Sequence, residues 1–204
     1  MAEGIRLTIN IGYATGTHLP VLRSLAQELL PELTELHGPA WDHRLGQGRV
    51  WTESLLLVAQ DSEVPDLGPV GFCWVDPAML SDEQIIEPWW CLNAIAVRHA
   101  YRGRKIGRSM VEAVCGAAAY AGAVSLYGVC DQSLSAWYSD QGFIVLGQGE
   151  AITADRPARR LGQRPGQFVL RDAEGECMFL MDIEPQPPAR LCVPDHERPN
   201  RRRD

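Results

Sequence analysis

The segment from Trp89 to Arg108 narrows the possible folds more than any other. Trp89 to Val97 is a nearly continuous apolar run, the pattern of a strand buried on both faces. It leads directly into the basic, glycine-containing stretch Arg98 to Arg108 and then into the alanine-rich segment Ser109 to Ala121, which reads as a helix. A helix start carries unpaired amides and a partial positive charge, so a tight loop feeding one is a natural cradle for a phosphate or diphosphate. Arg102, Gly103, Arg104, Lys105, Ile106 and Gly107 supply that loop. Glycine allows close approach of backbone to an anion, and Arg102, Arg104 and Lys105 add positive charge around it. The same pattern is also compatible with plain solvated surface. Other phosphate-binding patterns do not compete: there is no G-x-x-x-x-G-K-[ST], and Gly147-x-Gly149 lacks the third glycine of a dinucleotide loop.

The rest of the chain fits an α/β order around this segment. Leu7 to Ile11 alternates like a short strand, and Thr17 offers an N-cap to a helix carrying Leu19, Leu22, Leu25, Leu29 and Leu33, kinked or divided by Pro31. Arg49 to Gln60 and Val70 to Val75 read as an antiparallel hairpin across the turn-rich Asp61 to Pro69. Ala78 to Glu87 reads as a polar connection, Ala123 to Val129 as a second buried strand, and Asp131 to Gln141 as a helix closed by Gly142. Phe143 to Leu146 and Met178 to Ile183 complete the strands, with Gly147 to Glu176 expected to be irregular and rich in arginine. At 204 residues, one domain over residues 1–184 is expected, followed by a disordered Pro- and Arg-rich tail over 185–204.

Charge is distributed unevenly. Residues 1–97 hold 4 Arg and no Lys against 13 acids, net -9, whereas residues 98–204 hold 15 basic against 13 acidic residues, net +2. An acidic half favours cationic partners and disfavours non-specific nucleic-acid binding, although solvated faces give the same count. The 6 cysteines are scattered without a Cys-x-x-Cys pair, which suggests reduced, buried thiols rather than a zinc site or a disulfide framework. No apolar run reaches the roughly 18 residues that span a bilayer, and the start of the chain lacks signal-peptide features, so the expected location is the cytoplasm without membrane contact. His37, Asp42 and His43 lack a ligand spacing that would define a metal centre, and no metal is expected.

Val97 to Arg108 resembles the acetyl-CoA loop of the GNAT acetyltransferases, Gln/Arg-x-x-Gly-x-Gly/Ala between a strand and a helix. Arg102, Ile106 and Gly107 fall on that pattern, while Lys105 stands where the first glycine is usual. Its amide can still serve a phosphate if the residue is held in a helical conformation with negative φ. Asp131 to Phe143 resembles the second family motif, Asn-x-x-Ala-x-x-x-Tyr followed by Gly-Phe: Tyr138, Gly142 and Phe143 match, whereas Asp131 and Leu134 replace the asparagine and alanine.

The resemblance implies an α/β (α+β) GNAT fold, a mixed sheet splayed between its fourth and fifth strands, here 89–97 and 123–129, with flanking helices. It implies acetyl-CoA as cosubstrate, its arm held near Ile95, Ala96 and Val97, its diphosphate on residues 102 to 108 (through Arg108), and Asp131 near the cofactor. Tyr138 becomes the candidate general acid for the departing thiolate, and Glu87, just before the first of these strands, the best-placed general base. Tyr138 could equally be a core residue under Gly142 and Phe143, and Glu87 an exposed loop residue; Asp82 and Glu83 are weaker bases. The implied reaction is direct acetyl transfer, in a ternary complex, to a primary amine of a small molecule, peptide or protein. An aminoacyl-tRNA acceptor is less favoured by the overall acidity, and the sequence leaves a homodimer open. A non-catalytic acyl-CoA-binding module is the alternative that the departures at Lys105 and Asp131 motivate.

Overall fold

The computed structural model describes residues 8–32, 54–76, 80–81, 84–85, 89–156, 166–171 and 176–184. Its elements run β1 (Ile9–Tyr13), α1 (Leu19–Leu29), β2 (Leu55–Asp61), β3 (Pro69–Asp76), β4 (Leu80–Ser81), β5 (Gln84–Ile85), β6 (Trp89–Val97), α2 (Ile106–Tyr120), β7 (Ser125–Asp131), α3 (Ser135–Asp140), β8 (Ile144–Val145), β9 (Ala151–Arg156), β10 (Gly166–Arg171) and β11 (Glu176–Asp182). Among the described residues, a 7-stranded sheet has the order β1-β2-β3-β6-β7-β11-β8. Its ladders are antiparallel except β6 with β7, which is parallel. No described helix is long and apolar enough to cross a membrane.

Helices cover both faces of the sheet because alternate strand residues are apolar on each side. On one face, Met110, Val114 and Ala118 of α2 pack with Cys73, Val75, Leu92, Leu126 and Phe179. On the other, Leu22, Leu25 and Ala26 of α1 pack with Leu56, Val58, Phe72 and Trp74. Leu22 and Leu25 are fully buried, a burial worth about 1.5–3 kcal/mol for each such side chain.

The pairing of β6 with β7 is short. Its partners are Trp89 with Ser125, Trp90 with Leu126 and Cys91 with Tyr127, and beyond them the strands part. On its other edge β6 stays paired to β3 from Cys91 to Val97. That second ladder carries a bulge: Trp74 faces Ala94 and Val75 faces Leu92, so Asn93 is the extra residue. The bulge reverses the faces of β6. Trp90 and Leu92 belong to the α2 side, whereas Ala94 and Ala96 belong to the α1 side.

Several boundaries differ from the sequence reading. β1 lies later than Leu7 to Ile11, and α1 begins at Leu19 behind a 3-10 turn, Gly16–His18. Thr15, not Thr17, forms the capping box there, with the His18 ring accepting from the Thr15 amide at 3.0 Å. α1 ends at Leu29, ahead of Pro31, because the residue before a proline is driven out of helical geometry and Leu30 sits at φ -139°. Leu33 lies outside the described residues. α2 starts at Ile106 rather than Ser109, and β7 and β11 are each displaced by about one pair step from their expected ranges. The stretch expected to be irregular contains the antiparallel ribbon of β9 and β10, in register from Arg171 opposite Ala151 to Gly166 opposite Arg156. The tail from Pro185, the arginines at 159, 160 and 164, and residues 33–53 lie outside the described residues.

Candidate functional site

β6 ends at Val97, and a 3-10 turn, His99–Tyr101, brings the chain round to the start of α2. The first backbone bond of α2 runs from Ser109 N to Lys105 O at 3.0 Å, so the amides of Lys105, Ile106, Gly107 and Arg108 have no intrahelical acceptor. No side chain caps this end, and its first turn holds no acid. Most helix starts are neutralised by Ser, Thr, Asp or Asn. This one is left positive, which suits an external anion.

The loop is held in place by its own side chains. Arg102 Nε donates to Val97 O at 3.1 Å and closes the loop onto the strand. The Tyr101 hydroxyl donates to Asp61 Oδ2 at 3.3 Å, and Asp61 is only 3% exposed, which ties the turn to the end of β2. Arg104 lies over the Tyr101 ring at 5.0 Å, a cation–π contact. Arg108 Nε pairs with Glu112 at 2.9 Å on the exposed face of α2. Gly103 has φ +74° with open space where a side chain would be. At Gly107 a Cβ would come within 3.1 Å of Trp137 Cζ2, so glycine lets the helix start pass beneath that indole.

Lys105 departs from the expected backbone. Its φ is +63° and ψ 12°, left-handed, and it is the one non-glycine residue with positive φ among the described residues. This explains why glycine is usual at that position in the pattern. The negative φ on which its phosphate contact depends is therefore absent, and the conformation is strained by about 1–2 kcal/mol. Lys105→Gly should relieve that strain while losing about 0.5–1 kcal/mol to the greater freedom of the unfolded chain. We expect stability in denaturant titration to stay level or rise slightly, whereas Lys105→Val should lower it.

The gap between β6 and β7 presents a free strand edge. Arg98 N donates to Val70 O at 2.8 Å, and bonded pairs alternate along an antiparallel ladder, so Ala94 and Ala96 direct their backbone groups to β3. Ile95 and Val97 therefore turn theirs toward the gap. Of the residues singled out on this strand, Ile95 and Val97 face the opening, and Ala96 serves β3 with its side chain in the α1-side core.

Tyr138 lies across the same gap on the α2 side. Its ring stacks on Phe179 at 3.9 Å and meets Trp137 and Phe143 edge-on at 4.9 Å and 5.7 Å. Burial pushes its phenol above the ordinary value, with smaller contributions from the thiols of Cys130 on β7 and Cys73 on β3. The phenol therefore stays protonated at neutral pH. Asp131 caps the 3-10 turn before α3, accepting from Ser133 N at 2.8 Å, and the Ser133 side chain first, then this amide, hold its carboxyl below the usual range. Glu87, Asp82 and Glu83 lie outside the described residues, as do His37, Asp42 and His43. Among the described residues no group of His, Cys, Asp and Glu is placed to hold a metal.

The sequence reading missed a polar cluster at the point where β6 and β7 part. Asp76, at the end of β3, accepts from Ser54 Oγ, from Trp74 Nε1 at 3.2 Å and from Asn93 Nδ2 at 2.7 Å. Cys91 Sγ donates to Asn93 Oδ1 at 3.3 Å, and Tyr127 lies beside Cys91 across the ladder. The available signal was weak: a Val-Asp strand end and a single asparagine within an apolar run.

Comparison with known proteins bears on this arrangement. Residues 52–145 match the model of the acetyltransferase (GNAT) domain. No curated protein matches the chain by sequence. Among solved structures, NAA60 of Arabidopsis thaliana in complex with a bisubstrate analogue superposes with a TM-score of 0.60 at 14% identity, covering 88% of this chain and 100% of that one. The ribosomal-protein-S18-alanine N-acetyltransferase of Escherichia coli gives 0.57 at 16% identity, over 90% and 99% of the two chains. The GNAT family N-acetyltransferase YhbS of Escherichia coli, solved with CoA, gives 0.53 at 22% identity, over 71% and 73%. These likenesses are of fold. Residues 52–145 thus match a GNAT acetyltransferase domain, and the sheet with its splayed parallel pair has the fold of these acetyltransferase structures.

Proposed function

We propose that this chain is an acetyl-CoA-dependent N-acetyltransferase that acts on a primary amine by direct attack in a ternary complex. The observation that carries the proposal is the uncapped, acid-free start of α2 lying next to the free edge of β6, with Tyr138 in the core on the same α2 side of the sheet. Acetyl-CoA supplies an acyl group activated as a thioester. The amides of Ile106 to Arg108 would bind its diphosphate, and the backbone of Ile95 and Val97 would pair with its extended arm as an added strand does. Val97 is where the two meet: its carbonyl holds Arg102 and so fixes the distance from strand edge to loop.

When the amine nitrogen bonds to the acetyl carbon, the carbon–sulfur bond breaks and the sulfur needs a proton. The Tyr138 hydroxyl, kept protonated by burial, donates it. Glu87, which precedes β6, is the candidate to receive the proton of the amine. Neighbours of this fold include one named for alanine N-acetylation of a ribosomal protein and one solved with a bisubstrate analogue, which supports an amine acceptor in the same cleft. Location in the cytoplasm follows from the same reading.

The experiment is a pair of measurements. Calorimetry should show CoA binding to the purified chain, and release of free thiol from acetyl-CoA should depend on added amine. Binding without amine-dependent release, across polyamines, amino acids and peptides, would instead favour an acyl-CoA sensor.

A further inference from the structure

The cluster around Asp76 is unused by the steps above, yet it sits where an acceptor must arrive. The last pair of the β6 and β7 ladder is Cys91 with Tyr127, and the first residue of the free edge that bulges out is Asn93. An arm anchored at the start of α2 and running along Val97 and Ile95 reaches Asn93 after four strand residues, about 13 Å at 3.3 Å each. The acetyl end of such an arm would come near Asn93. Asp76 is bonded to Asn93 at 2.7 Å from the neighbouring strand.

The faces settle from which side the acceptor comes. Tyr138 and the start of α2 lie on the α2 side. Cys91, Trp89 and Tyr127 pack in a separate cluster whose residues alternate with the α2-side core along β7 and β11, which puts them on the opposite face. Trp74, whose indole bonds Asp76, also packs on that face with α1. The cluster thus lies across the sheet from the proton donor, at the apex of the gap.

We propose that this cluster is the acceptor-recognition site and that it selects a cationic alkylamine, whose ammonium is received by Asp76 while its carbon chain lies against Trp89 and Tyr127. The inference rests on the acetyltransferase reading above and adds the substrate class to it. Asp76 is fixed by donors on both carboxylate oxygens, so its charge is aimed without a cost of ordering at the moment of binding. Trp89 is half-buried and packs on Tyr127, ring centroids 6.0 Å apart and tilted by 55°, so the exposed part of its indole offers an aromatic surface for a cation with an aliphatic stem. The net charge of -9 over residues 1–97 attracts the same class of molecule.

Other uses of the cluster are weaker. Burial pushes the Cys91 thiol up to about 11, so it is a hydrogen-bond donor to Asn93 and not the thiolate that a covalent acetyl-cysteine route would need. Burial, then Cys91, also pushes the Tyr127 phenol upward, and it stays neutral.

The test uses the full chain and spermidine as the probe, with a neutral-side-chain peptide N-terminus as the comparator. Spermidine should bind the CoA complex, read by calorimetry and by quenching of tryptophan fluorescence. Asp76→Asn should weaken that binding and raise KM for spermidine by about tenfold or more, the scale of a lost charge contact near 1.4 kcal/mol, and leave CoA affinity unchanged. Asp76→Glu should recover part of the loss, which a merely structural role would not give. Trp89→Leu provides a second variant at a half-exposed position and should weaken spermidine but not CoA. Unchanged spermidine binding in Asp76→Asn with CoA binding intact, or preference of the wild type for the peptide terminus, overturns this inference and leaves the acetyltransferase reading standing. Failure of the wild type to bind CoA overturns both.

Discussion

Tyr138→Phe should lower kcat for acetyl transfer by about 10²- to 10⁴-fold, the range of a lost general acid, with little change in CoA affinity. The substitution removes one oxygen and keeps the ring, so the stack on Phe179 and the edge contacts with Phe143 and Trp137 survive. Stability should therefore change little, which separates loss of a proton donor from loss of packing. The direction of the phenol shift adds a second check. Burial raises it above its ordinary value of about 10, so below that pH the hydroxyl keeps its proton and no alkaline decline of kcat should come from Tyr138. A decline near pH 8 that vanishes in Tyr138→Phe would mean the phenol ionises early and the buried setting is misread. Full activity in the variant would leave Tyr138 as a core residue alone.

What could be read from the sequence follows from how local each feature is. β6 was placed to the residue because an unbroken apolar run bounded by Pro88 and a basic loop has only one buried-strand reading. The loop and helix start that follow β6 were legible for the same reason: glycine and arginine spacing is a property of a few adjacent residues. The handedness of Lys105 was not, since lysine has no preference for positive φ and the path of the loop, fixed by Arg102 on Val97 and Tyr101 on Asp61, imposes it. The bulge at Asn93 was hidden because it is a relation between two strands, and no residue in β6 announces it. Asp76 reads alone as a strand-end acid, and only the register that sets it opposite Cys91, next to Asn93, gives it a place in the cleft. The β9 and β10 ribbon was obscured by the arginine- and glycine-rich stretch that joins its strands, where composition suggested loop throughout. At Pro31 the sequence points to a kink or a division, and α1 stops just before that residue, at Leu29.

Gly128→Val should destabilise the chain by about 3 kcal/mol or more, at the upper end of overpacked core substitutions. Gly128 is the first residue of β7 past the last pair with β6, and it lies opposite Phe179 on β11. A Cβ there would sit 2.6 Å from Leu92 O and 2.9 Å from Phe179 Cε2. One neighbour is backbone of the central strand and the other a fully buried ring, so neither yields as a flexible side chain would. If Phe179 gives way, it moves the ring on which Tyr138 stacks; if β7 gives way, the gap widens at its apex beside Cys91 and Tyr127. Either response reaches the proposed chemistry, so the folded fraction of Gly128→Val should show reduced kcat as well as a lower denaturation midpoint. Gly128→Ala should show both effects in milder form, about 1–3 kcal/mol in stability. Wild-type stability in Gly128→Val would mean that the two strands do not approach this closely. The narrow apex, which keeps donor and acceptor on opposite faces of one sheet, would then be lost from the account of the site.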